Sequence, residues 1–227
     1  MKTRLVVALL VVAVVAVVLV VADVVLRSRV EQSIAGQLGT ELGMQDARVT
    51  VTGTPFLTQV LSGSLDRVEV SAPSAVLDGV RLRTLEATLL AVSTGTPRTA
   101  AELRFSAAVE PSSLAAVLPD GVQVDGDADR LSVTLAGLPV TARVVPTAAG
   151  RSIAIGIEEL EIGGVIVQPE NLPFGLGDGL TGLSLPLDDL PEGVELTSVS
   201  VVGGLIRVEA AGTDVLLPDA AAVGVAD

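Results

Sequence analysis

The stretch that most constrains this chain is Leu5 to Ala22, where 18 consecutive residues are apolar and none carries a charge or a hydroxyl. Lys2 and Arg4 precede it and Asp23 comes directly after it. A helix of that length approaches the thickness of a bilayer's hydrocarbon core. It also exceeds the usual apolar segment of a cleavable leader. The basic residues ahead of it favour a cytoplasmic N-terminus and export of the remaining chain. Arg27 and Arg29 weaken that bias, and Asp23 and Glu31 partly offset them. The expected reading is an uncleaved transmembrane anchor over residues 1–23. The alternative is a signal segment cleaved after Ala22, because Val20-Val21-Ala22 places a small residue before Asp23. Both readings put about 200 residues on the extracytoplasmic (periplasmic) side.

Composition narrows what the exported part can do. The chain has no cysteine and no histidine, and its only lysine is Lys2. A disulfide framework, a thiolate nucleophile and lipidation through cysteine are excluded. So are Ser-His chemistry, Schiff bases in the exported part and the usual zinc sites. Phe56, Phe105 and Phe174 are the only aromatic residues. The formal charge is −13, and about −15 without Lys2 and Arg4. That balance opposes nucleic-acid binding, which needs a cationic surface. A local arginine patch could still hold a phosphate.

Periodicity predicts a helix from Val24 to Leu42, continuous with the apolar run, in which Leu26, Val30, Ile34, Leu38 and Leu42 recur every fourth residue. Such a row winds by about 40° per step, which suits a helix cupped by a curved sheet. Arg27 and Glu31 are spaced for an i,i+4 ion pair, and Gly43 for a helix stop. Ala47–Thr52 alternates as a half-buried strand. Thr54-Pro55 predicts a helix start, Thr54 as cap and Pro55 at the first position, before the apolar face Phe56, Leu57, Val60 and Leu61. Strands are expected over 65–72, 80–92 and 101–109, and a second short helix over 111–118. Further strands are expected over 131–136, 140–145 and 152–162. Glu195–Val202 and Leu205–Ala211 flank Gly203-Gly204, a hairpin signal. Residues 168–182 read as irregular and the tail after Pro218 as disordered. Leu118-Pro119-Asp120-Gly121-Val122-Gln123-Val124 is echoed by Leu190-Pro191-Glu192-Gly193-Val194-Glu195-Leu196. The echo has two readings, a duplicated unit or a common way to start a strand.

Polar motifs offer little chemistry. Asp125-Gly126-Asp127-Ala128-Asp129 begins like a calcium loop. Arg130 and Ala136 occupy the places where Gly and Glu are required, so it reads as a solvated acidic turn. Glu158, Glu159 and Glu161, or Asp188 and Asp189, could form a carboxylate pair for glycoside hydrolysis, but nothing sets their separation. Gly175-Leu176-Gly177-Asp178-Gly179 lacks the Lys-Ser/Thr of a phosphate loop. What remains is the aliphatic supply. It serves either a filled core or a curved sheet whose inner face is larger than a few short helices can cover, leaving room for acyl chains.

Gly53-Thr54-Pro55-Phe56-Leu57, Gly63 and the Val68-Glu69-Val70 strand resemble the LmeA-type phospholipid-binding proteins of the actinobacterial cell envelope. The Glu31…Leu42 helix adds to the likeness. So does the closing order Leu190-Pro191-Glu192-Gly193-Val194, Gly203-Gly204-Leu205 and Gly212-Thr213-Asp214-Val215. The resemblance runs from about Val24 to Leu217. It implies an α+β fold like the tubular lipid-binding proteins, with a long N-terminal helix wrapped by a curved antiparallel sheet. It also implies binding of phospholipid, inositol lipid included, a role in envelope lipid or mannolipid maturation, and no catalysis. The expected lipid-binding domain is 24–217, followed by the tail 218–227. The expected lining is Ile34, Leu38, Leu42, Phe56, Leu57, Val60, Leu61, Val68, Val70, Leu85, Leu89 and Phe105. Arg48, Arg67, Arg81 and Arg83 are the head-group candidates. No cofactor and no metal is expected, and no protein partner is identified. The competing reading is a membrane-anchored scaffold with no lipid cavity.

Overall fold

The computed structural model describes residues 2–41, 43–53, 55–77, 79–116, 118, 120–137, 139–169, 183–187 and 190–217. The side chains of residues 2–19, 41, 77, 135 and 183 lie outside that description. So do Leu42, Phe174, the 175–179 loop, Asp188, Asp189 and the 218–227 tail. One helix, α1 (Lys2–Glu41, 40 residues), carries the apolar run without a break into the domain. At 1.5 Å per residue it is about 60 Å long. Among the described residues no helix is long and apolar enough to cross a membrane. The anchor reading of Leu5–Ala22 rests on the sequence.

The rest is mostly antiparallel sheet, an α+β domain. The first sheet has strand order β1 (Arg48–Thr52), β2 (Ser64–Leu77), β3 (Val80–Ser93), β4 (Thr99–Val109), β12 (Leu205–Leu216) and β11 (Val194–Val202). The expected alternation produces β1, with Val49 and Val51 buried. The long strands carry irregularities. Pro73 in β2 has no N–H to donate, and the facing Thr84 takes φ 50°. The β3–β4 register slips by one between Arg83 and Glu86. A second slip lies between Leu196 and Ser198 on β11. Such bulges bend and further twist a strand.

The C-terminal half of α1 lies on the β1–β3 end, where Val30, Ile34, Ala35 and Leu38 pack on Val49, Val51, Phe56, Leu65 and Val68. The short helix α2 (Phe56–Ser62) fills the adjoining corner. Two local expectations are corrected here. Pro55 precedes α2 in extended conformation and gives it no side-chain cap. Thr54 lies outside the described residues. The first turn of α2 is bonded from α1, as the Leu57 N–H donates to Asp23 Oδ1 at 2.7 Å. Arg27 pairs with Asp23 (3.4 Å) and donates to the Gly53 carbonyl (2.7 Å), rather than pairing with Glu31. Glu31 accepts the Val51 N–H at 2.7 Å, satisfying a donor that edge strand β1 would otherwise expose. Thus Asp23, Arg27 and Glu31, one row at i, i+4 and i+8, clamp the helix to the domain.

The second sheet has order β10 (Leu183–Pro186), β8 (Ser152–Ile162), β7 (Val140–Ala149), β6 (Arg130–Leu135) and β5 (Val122–Asp127), with β9 (Val165–Val167) also on β8. The acidic stretch 125–129 ends β5 and turns into β6, with Ala128 at φ 50°. The echoed segments start β5 and β11, and their glycines Gly121 and Gly193 share φ near 87° (88° and 86°). The two strands sit at edges of different sheets. Among the described residues, two backbone hydrogen bonds join the sheets. Leu196 N–H donates to the Gly150 carbonyl, and Gly204 N–H to the Ala128 carbonyl, both at 2.8 Å. The second junction requires glycine, since a Cβ on Gly126 would overlap the Gly204 carbonyl. A 3-10 helix (Pro111–Ala116) links β4 to β5.

Candidate functional site

Between the two sheets lies a cavity of about 430 Å³. Val109 on β4, Val199 on β11 and Ile206 and Val208 on β12 form one wall. The other wall is Val122 and Val124 (β5), Leu131 and Val133 (β6), Ala142, Val144 and Pro146 (β7), Ile153, Ile155 and Ile157 (β8), and Leu185 (β10). Leu114 and Leu118, in and after the 3-10 helix, complete it. Every lining residue is aliphatic or proline. Strand alternation explains the facing set 153, 155 and 157. A one-residue slip at Glu158 then brings Leu160 to the buried side. The wall exposes almost no polar surface, so water would make few hydrogen bonds in this space. The cavity is therefore suited to an apolar ligand of one acyl chain's character.

Arg151 holds the cavity's walls together, and no sequence motif marks it. It stands in the β7–β8 turn and donates to the carbonyls of Leu190 (2.6 Å), Pro191 (2.9 Å) and Val194 (3.2 Å). Only its turn position, next to Gly150, hints at this. Arg151→Met is expected to cost about 1–3 kcal/mol, seen as a lower thermal midpoint; an unchanged midpoint would count against this latch.

The residues expected to line a groove lie outside the lining of this cavity. Ile34, Leu38, Phe56, Val68, Val70 and Leu89 belong to the core under α1. Leu85 is buried with Ala72 and Ala75, and Phe105 packs against both that cluster and the cavity's core. Leu57 is half-buried, while Val60 and Leu61 are exposed. Of the eleven described residues in that set, none lines the cavity. The signal in the chain that could locate it is the apolar faces of β5 to β8, in the second half.

The head-group candidates divide. Arg48 is exposed beside Asp46, and Arg67 pairs with Glu69 at 3.4 Å. Arg81 and Arg83 converge on Glu110, Arg81 at 3.7 Å. Their neighbour Leu82 is paired with the cavity residue Val109. Ser113 of the 3-10 helix accepts the Arg81 N–H at 2.9 Å. Strand alternation therefore turns Arg81, Arg83 and Glu110 to the face of the sheet opposite Leu82 and Val109, and none of the three lines the cavity. Among the other acidic candidates, Glu159 is taken by Arg143 across β7–β8.

A model of the LmeA-like phospholipid-binding family matches residues 20–211. The chain belongs to that family. No curated protein matches, and no solved structure matches. The phospholipid-binding character of the LmeA-like family agrees with an all-apolar cavity in an α+β body. The match begins at Val20, so it includes Asp23 and the clamp to α2.

Asp23 gives this clamp a pH dependence. The Leu57 N–H holds its carboxyl below the ordinary aspartate range. Burial opposes that, while the Phe56 N–H and Arg27 assist. Because folding lowers the pKa, the stabilisation is present above the ordinary aspartate value and disappears as pH falls through the folded-state value. Asp23→Asn is expected to flatten the loss of stability below about pH 4, read from urea midpoints across pH. An unaltered acid limb would place the titrating group elsewhere.

Proposed function

We propose that this protein is an extracytoplasmic phospholipid-binding protein, anchored by residues 5–22, that holds acyl chains between its two sheets. The observation that carries this is the all-apolar cavity of about 430 Å³ in a member of a phospholipid-binding family. In this reading the bent sheets form a body of the tubular lipid-binding kind. The candidate for the lipid phosphate is the Arg81 and Arg83 pair, on the face of the first sheet opposite the cavity, where Glu110 leaves one net positive charge in a chain of net charge −13. That choice favours anionic phospholipids, inositol lipids among them. The protein acts without catalysis, in lipid or mannolipid maturation of an actinobacterial-type envelope.

The test is native mass spectrometry of residues 20–227 purified without detergent, a cut that keeps Asp23. About one phospholipid per chain is expected, and the Arg81→Gln, Arg83→Gln pair should lower the anionic share of it. A folded chain with no adduct and no uptake from added vesicles would support the scaffold reading instead. An anionic share unchanged in the double variant would remove the arginines from the site.

A further inference from the structure

A second apolar surface lies at the other end of the molecule, where α2 meets α1. Val20 and Val24 of α1 line one shallow groove with Pro55, Leu57 and Leu61 around Asp23 and Arg27. Leu61 is 86% exposed, and Val20 is 63% exposed. Val20 lies inside the 18-residue apolar run, about 4.5 Å along the helix axis from Asp23. The Asp23 bond to the Leu57 N–H holds the start of α2 at the level of residue 23. The height of α2 relative to the apolar run is therefore set by the structure. Its sequence, Phe56–Ser62, contains no charged residue, although the chain as a whole is strongly acidic. Entering an interface would cost α2 no ion desolvation. Asp23, the acid nearest the groove, is already bonded to Arg27 and Leu57.

We propose that α2 is a membrane-contacting element, lying in the interface of the outer leaflet with Leu57 and Leu61 set against the hydrocarbon edge beside the anchor. This rests on the anchored, extracytoplasmic reading above. A lipid surface is the occupant because the groove is continuous with the helix that the lipid surrounds: Val20 belongs to both. The contact would fix the height and tilt of the sheets above the membrane, which an anchor helix alone leaves free to rotate.

The chain has no tryptophan and no tyrosine, so one introduced indole reports alone. Full-length Leu61→Trp is reconstituted in phosphatidylcholine–phosphatidylglycerol vesicles with lipids brominated near the head group. Ile166→Trp, at an exposed position on the β8–β9 hairpin of the other sheet, is the comparison. Val60→Trp repeats the reading if Leu61→Trp misfolds. Quenching of the α2 indole by about two-fold or more, as expected for an interfacial helix, with the Ile166→Trp indole unquenched, supports the contact. Protein that survives an alkaline carbonate wash but shows no α2 quenching overturns it and leaves the anchor reading standing. Equal quenching of both indoles also overturns it. Release by the wash overturns the anchor and the contact together, while lipid capture by the cavity is scored separately by mass.

Discussion

Ala142→Phe is expected to reduce co-purified phospholipid by about ten-fold or more while leaving the domain folded. Ala142 is half-buried on β7, is paired with Val133 on β6, and both line the cavity. A ring at this place occupies volume that acyl methylenes would otherwise fill. Each methylene kept in water costs the ligand about 0.8 kcal/mol, so displacing two already exceeds a ten-fold change at ~1.4 kcal/mol per decade. The protein itself gains contacts where it had a hole, which offsets the strain of about 1–3 kcal/mol that overpacking brings. The two readouts thus separate: lipid mass falls, and the thermal midpoint holds. A full lipid load in a folded Ala142→Phe chain would place the ligand outside this cavity.

Phe56→Ala is expected to do the reverse. Phe56 is 2% exposed and belongs to the core between α1, α2 and β1. The Arg27 guanidinium lies 5.8 Å from its ring centroid. Deleting a buried ring costs about 3–5 kcal/mol. At roughly 2–4 °C per kcal/mol for a domain of this size, the midpoint should fall by about 6–20 °C. Lipid stoichiometry below that midpoint should not change, because Phe56 does not line the cavity. Sequence pattern alone puts Phe56 in the lipid groove, so this variant separates the two placements. Loss of lipid at a temperature where the variant is folded would return Phe56 to the site.

The elements are largely readable from the chain. Of the predicted α1 row, Val30, Ile34 and Leu38 are half-buried against the sheet while Leu26 is exposed, and Val49 and Val51 form the inner face of β1. Gly203-Gly204 marks the β11–β12 hairpin. Strand β5 is hidden because its acidic end, Asp125 to Asp127, reads as a turn. Aromatic and leucine residues cluster near α2 and point there for a lipid-sized space. The cavity between the sheets is lined instead largely by valines and isoleucines, whose alternation looks the same whether the inner face is covered or open.

By itself the sequence determined the apolar N-terminal helix, the alternating strands, the glycine turns and the absence of the side chains most catalysis requires. These depend on near neighbours and on composition: a 3.6-residue or two-residue period, a φ only glycine takes easily, a residue type present or missing. Tertiary structure alone decided that Val109, Val144 and Ile206 would face one cavity, that Asp23 would bond the first turn of a helix 34 residues away, and that Arg151 would fasten the segment at 190–194. Those outcomes depend on which sheet faces meet and on single-residue slips in register, and both are set by packing between strands far apart in the chain.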